Sequence, residues 1–339
     1  MSAASKGSLE VGVEAMAPQF DTCCPHCNTT FRLGRDAPLI KVDIQTLLAE
    51  RAAEQAKKKD DEFQAFVVNK LLDKDFQVPL LPHVAVKVMR LTSDHHSSMQ
   101  DMARVIMTDQ GIASKILQIA NSPVYAGNEP VKTVSQALVR IGQTEIRNIM
   151  LSIALQGKVF KSKGYTELAK GLWEHSVAVA FASRVVANAL RMPKEEAFLS
   201  GLMHELGKMV LLNIIEKAER QFNVDYHANR QLVDKILNRY HGNVGEMVAE
   251  KWEQMPEELL RILVMHSYTV DIAAADRMIA VVMVADDIVE RRGIGPGEPK
   301  EIELSEGPGA KSLGLSADAC AELDRRFAKA YDQAQGIFV

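Results

Sequence analysis

An all-α fold, built as a multi-helix bundle, follows from three observations on this chain of 339 residues. Apolar residues recur at the three-to-four spacing of helices from Val84 onward, and no segment alternates with period two over a useful length. Ser, Thr, Asp, Asn, Gly and Pro fall where helix caps and stops belong. Hydrophobic content of 47%, charged content of 25% and a net charge of -4 describe an ordinary globular protein. Such a charge gives no ground for wrapping around nucleic acid or an anionic membrane, which makes nucleic acid an unexpected partner and leaves binding by a local patch open. Met1 to Phe20 lacks the apolar run of a signal peptide, and no later stretch is expected to reach the length of a membrane span. The expected location is the cytoplasm.

Residues 1–40 read as a flexible tail, with Pro18, Pro25, Gly34 and Pro38 and no sustained period. Within it, Cys24-Pro-His-Cys27 has the form of one zinc-ribbon knuckle, in which a tight turn aims two thiolates at one Zn ion. The remaining distant cysteine is Cys320, so a zinc site needs a further ligand from Cys23, His26 or a partner chain. A degenerate knuckle and a reactive thiol cluster are the alternatives. Residues 41–74 form an amphipathic connecting helix with a highly charged middle, Glu50 to Glu62.

Residues 75–290 make the principal domain, with a front part over 75–165 and a second part over 166–290. Ser97 or Ser98 caps a helix carrying Met102, Val105 and Ile106. Thr108-Asp109 opens the next, which stops at Asn121-Ser122-Pro123 because proline cannot continue it. Thr133 or Ser135 starts a helix ending at Gly142, and Gln143 to Leu155 supplies another apolar stripe. Helices then follow over Leu172 to Leu190, Glu195 to about Ile215, Gln231 to Asn238, Val244 to Trp252, Glu257 to His266 and Ala273 to Arg291. Residues 291–339 complete the chain: an irregular loop from Gly293 to Gly314, then a helix capped by Ser316 with Leu323, Phe327 and Tyr331 on one face.

The chemistry-bearing residues lie in the second part. His204, Glu205 and Lys208 interrupt an apolar helical pattern, and spacing of four puts His204 and Lys208 on one face. His175 and His204 have small residues (Ala178, Gly201) one turn away, which leaves room around an imidazole. Asp286 interrupts the apolar run Ile279 to Ala285, where an ionised carboxylate needs a partner. Neutral imidazoles and carboxylates suit Fe, Mn or Zn, and helix bundles build such sites from facing side chains. The plain alternative is that each histidine is a core residue bonded to a backbone carbonyl or to one of these acids.

Taken in order, His175, the His204-Glu205 pair, His241, His266 and Asp286 resemble the HD superfamily of metal-dependent phosphohydrolases. Lys208 matches the lysine that follows the paired residues in the branch acting on cyclic dinucleotides. More specifically, Val78-Pro-Leu-Leu-Pro82, Met107-Thr-Asp-Gln-Gly-Ile-Ala113, Lys115-Ile-Leu-Gln-Ile-Ala-Asn-Ser-Pro123 with Tyr125, Ala137-Leu-Val-Arg-Ile-Gly142, Trp173-Glu-His-Ser176 and Phe198-Leu-Ser-Gly-Leu-Met-His204 resemble an HDOD domain, the HD-related output domain of bacterial signalling proteins. The resemblance covers roughly Phe76 to Glu290 and implies an HD/HDOD-type bundle acting as a regulatory or scaffolding module on signalling protein partners. Glu205 stands where the superfamily has aspartate, and Met265 where a histidine often precedes His266. These departures disfavour a second catalytic metal. An active phosphohydrolase is the alternative, with the same residues holding one or two ions, Lys208 steadying the phosphate, and a cyclic dinucleotide or nucleotide as ligand. A third reading is a nucleic-acid-associated regulator using Cys24 and Cys27 as a zinc knuckle.

Overall fold

The computed structural model describes residues 22–23, 30–31, 61–70, 83–84, 86–87, 91, 98–123, 125, 127, 129–158, 162, 164–222, 230–252 and 276–338. They belong to two units, Met1–Lys58 and Lys59–Val339. In the first, strands β1 (Thr22–Cys23) and β2 (Thr30–Phe31) pair antiparallel, with Thr22 opposite Phe31 and Cys23 opposite Thr30. Cys24 and Cys27 lie outside the described residues, as do Met265 and His266.

Every other long regular element described is helical. Residues 61–70 form a helix that buries Phe63 and Val67 in the core of the second unit. Next come α1 (Met99–Ile106), α2 (Gln110–Ala120), α3 (Val134–Ile141) and α4 (Gln143–Lys158). Their starts are chemically specified. Ser98 and Thr133 each make a reciprocal capping box, with Asp101 and Gln136, and Asp109 caps α2 through the Ile112 amide. After α2, the Asn121 side chain donates to the Leu117 and Val131 carbonyls and accepts from the Val131 amide, which pins the connection to α3.

The second half is organised around α5 (Thr166–Ala189), which packs against α6 (Lys194–Met203), α9 (Arg277–Arg291) and α11 (Ala317–Phe338) and touches α7 (Leu206–Phe222). Val177 to Ser183 are all buried, as expected of a helix apolar around its whole circumference. Helix α8 (Arg230–Lys251) lies along α7. It runs unbroken through Gly242 and Gly245, where the sequence pattern suggests two helices; a Cβ at Gly207 would sit 1.8 Å from the His241 carbonyl and 2.9 Å from the Gly245 amide nitrogen, so backbone contact with α7 replaces side-chain packing. The region expected to be irregular contains a 3-10 turn (Leu304–Glu306) and α10 (Pro308–Leu313). Lys194–Gln221, spanning α6 and most of α7, is long and apolar enough to cross a membrane, contrary to the sequence expectation, but 89% of its most apolar window is buried inside the protein, as in the core of a folded bundle.

A buried ionic cluster links α4 to α5 and α6. Arg184 donates to Glu145 and, at 2.9 Å, to Glu195, and its guanidinium lies 4.2 Å from the centre of the Phe198 ring. Tyr125 donates to the second Glu145 oxygen. Burial and the neighbouring Glu145 push the Glu195 carboxyl up to about 7. Because this folded value exceeds the ordinary 4.5, the stabilising contribution is complete below pH 4.5 and is lost as pH rises through 7. Thermal unfolding of Glu195→Gln, which stays neutral, is expected to show a flatter pH dependence between 4.5 and 7 than the parent; parallel curves would remove Glu195 from this role.

Candidate metal centre

Helix α6 ends at Met203, and the chain turns through His204 and Glu205 before α7 begins at Leu206. The sequence pattern reads straight through this point as one helix; His204 keeps helical backbone angles (φ -53°, ψ -34°) at the turn, and Gly207 packs against α8. One turn earlier, a Cβ at Gly201 would meet the Val179 carbonyl at 2.7 Å and the Ala180 Cα at 2.9 Å. Only glycine allows that approach of α6 to α5. It brings His204 to His175, with ring centres 5.3 Å apart, and α9 supplies Asp286.

His175, His204 and Glu205 are buried, and one ligand atom from each lies within 4.8 Å of the others. Asp286 Oδ1 is 3.0 Å from His175 Nε2 and 3.8 Å from His204 Nε2, while Glu205 Oε2 is 3.9 Å from His175 Nε2. The donors bound to a tetrahedral ion at 2.0–2.1 Å stand roughly 3.3 Å apart, within the range of these spacings. The rings are set for ligation. His204 Nδ1 is 2.7 Å from the Gly201 carbonyl and His175 Nδ1 is 3.2 Å from the Ile294 carbonyl. A carbonyl only accepts, so each Nδ1 carries a proton, which leaves Nε2 as the ring atom turned toward Asp286 and open to ligation. His175 Nε2 and Asp286 Oδ1 face each other at 3.0 Å, a contact that a proton on the imidazole satisfies and that an ion held by both atoms would replace. This donor set fits one divalent ion.

The electrostatics of the pocket favour bound positive charge. Burial opposes the charged forms, yet Lys208 and both histidines hold Glu205 well below its ordinary value, and the histidines do the same for Asp286. Against its own burial, the carboxylates of Glu205 and Asp286 raise His175 to about 9. Lys208 is paired with Glu205 Oε1. His241, on α8, feels the charges of Lys208 and Glu205 but stands outside the converging three; burial and Lys208 lower it to about 4, and its Nδ1 faces the Leu237 and Asn238 carbonyls at 3.0 Å.

A cleft of about 210 Å³ opens onto His175, Glu205 and Lys208, walled by α8 and by the loop from Gly293 to Lys300. The sequence pattern assigns that loop no role. Its signal was present as three glycines in Gly293-Ile-Gly-Pro-Gly297 directly after the helix carrying Asp286.

A helical bundle with a histidine and carboxylate pocket at its centre defines the class of the protein. The chain belongs to the HDOD domain family, whose model matches residues 78–268; Asp286 and the loop lie beyond that match. An HDOD domain protein of unknown function from Geobacter sulfurreducens has a similar structure, with a TM-score of 0.63 and 18% identity over 82% of this chain and 99% of that one. A proposed metal-dependent phosphohydrolase from Shewanella amazonensis SB2B gives 0.56 and 21% over 80% and 99%. A proposed signal transduction protein from Marinobacter aquaeolei VT8 gives 0.60 and 19% over 82% and 65%. At such identities the likeness is one of fold. An uncharacterized protein of Treponema pallidum (strain Nichols) is 23% identical over 237 residues, 66% of this chain, and the chain spans 41% of that relative's length.

In the metal-free protein the raised affinity of His175 for a proton stabilises the fold below pH 6.5, and that contribution disappears as pH rises through 9. An ion must displace the same proton, so metal affinity is expected to rise about tenfold per pH unit over this window. Added Zn ion should therefore restore the thermal stability lost at pH 8 to 9. Affinity independent of pH would contradict the assignment of His175 as a ligand.

Proposed function

We propose that this chain is a regulatory module of HDOD type for signalling partners, whose core holds one divalent ion as a structural or sensing element without turning over a phosphoester. Convergence of His175 and His204 on Asp286, each imidazole oriented by a backbone carbonyl, carries this reading. His175, His204 and Asp286 would hold the ion, with Glu205 beside them. When bound, such an ion supplies charge and Lewis acidity. Two features favour a non-hydrolytic role. Lys208 is committed to Glu205 within the pocket, so its ammonium is already neutralised where a phosphate would need it. The cleft, about 210 Å³, is also smaller than the roughly 300–1,000 Å³ typical of small-molecule sites.

A phosphohydrolase is the second reading. The lysine at the metal pocket and the phosphohydrolase name carried by the Shewanella neighbour favour it. In that case Lys208 steadies a phosphate once the Glu205 pair opens, and His175, His204 and Asp286 keep their places as ligands. The Cys24 and Cys27 thiols form a separate proposal for Zn, on the segment between β1 and β2.

Elemental analysis of protein purified without chelator should find about one ion per chain attributable to the pocket. That ion is expected to vanish in His204→Ala and to persist in Cys24→Ser/Cys27→Ser, which would shed only a knuckle zinc. The loaded protein, incubated with cyclic dinucleotides and p-nitrophenyl phosphate esters, should leave them intact. Turnover abolished by His204→Ala would replace the regulatory reading with the hydrolase, and absence of any ion from the parent protein would reject both metal readings.

A further inference from the structure

We infer that the Gly293–Gly297 loop sets the metal affinity of the pocket, with Ile294 as a positioning residue whose carbonyl orients His175; this rests on the metal-module reading above. The two imidazoles are oriented differently. His204, the residue capping the end of α6, bonds to Gly201 three residues back, so its ring is set as soon as α6 forms. His175 reaches an acceptor 119 residues along the chain, and its tautomer depends on where a loop comes to rest.

That loop is closely held. At its base, the Gly293 amide donates to the Glu290 carbonyl at 3.0 Å, the Ile294 amide donates to the Val289 carbonyl at 3.3 Å, and Arg292 pairs with Asp324 of α11 at 2.6 Å. On its far side, the Lys300 amide returns to the Glu290 carbonyl at 3.1 Å. Pro296 lies against Gly171 of α5, where a Cβ would come within 3.1 Å of the proline ring. Gly295 adopts φ +121°, and a Cβ there would stand 2.7 Å from His175 Cβ and 3.3 Å from the Gly171 carbonyl. The absence of a side chain at 295 therefore lets the backbone lie on His175 closely enough for the preceding carbonyl to receive Nδ1–H. Loss of such an outer partner typically weakens metal binding about 10- to 100-fold.

The test compares Gly295→Ala with Gly297→Ala, because a Cβ at Gly297 meets nothing within 4 Å. Zn affinity is measured by competition with a chromophoric chelator, and the visible bands of the Co-loaded protein report ligand geometry. Gly295→Ala is expected to bind Zn about 10- to 100-fold more weakly and to shift the Co bands, while Gly297→Ala matches the parent in both. A third variant, Pro296→Gly, only loosens the loop and should weaken binding by about two- to fivefold, which keeps the test decisive if Gly295→Ala does not fold. Parent-like affinity and Co bands in the folded Gly295→Ala, or in Pro296→Gly if the alanine variant does not fold, would overturn the role of the loop and leave the metal pocket standing. A parent protein that binds neither ion would overturn the pocket itself, and the loop's role with it.

Discussion

Asp286 sets a carboxylate into a helix whose neighbours Val282, Val284, Ala285, Ile288 and Val289 are buried, and the arrangement around it follows from that charge. An uncompensated ion in such a place costs several kcal/mol. Compensation has to come from elements distant in sequence: His175 from the central helix, His204 from the turn between α6 and α7, and Lys208 at one remove through Glu205. The close approach at Gly201 is what allows it. A larger residue there would separate α6 from α5 and draw His204 away from the carboxylate.

Two buried ionic groups in the same unit resolve their charge differently. Around Arg184, Glu145 and Glu195 share one guanidinium, with the more exposed Lys194 3.9 Å from Glu195, and the crowding of the two carboxylates is met by a proton that Glu195 keeps up to about pH 7. Around Asp286 and Glu205 the excess is one negative charge, since Lys208 cancels one of the two carboxylates. Here the available proton sits on His175, an imidazole that can exchange it for a metal ion. The first group locks helices together, whereas the second presents donors to a cleft. That contrast is the physical basis for reading the Arg184 cluster as structural and the histidine pocket as functional.

Much of the helical pattern was legible because its determinants are local. Ser98, Asp109 and Thr133 start helices through hydrogen bonds to amides three residues away, and Ser316 does the same for the last helix. Asp286 was conspicuous for a similar reason, as a charge interrupting a short apolar run. The unbroken course of α8 through Gly242 and Gly245 was not legible, because intrinsic glycine propensity is unfavourable and contact with α7 overrides it.

The sequence by itself determined the helical periodicity, the caps and the residue types able to bind a metal, all of which depend on neighbours within a turn or two. Only the tertiary structure decided which of those residues meet, that His204 and Glu205 occupy a turn, and that Ile294 orients His175. The physical reason is range. Ligand geometry depends on ångström-scale contacts between segments as much as 119 residues apart, and the spacing of residue types along a chain carries no record of such distances.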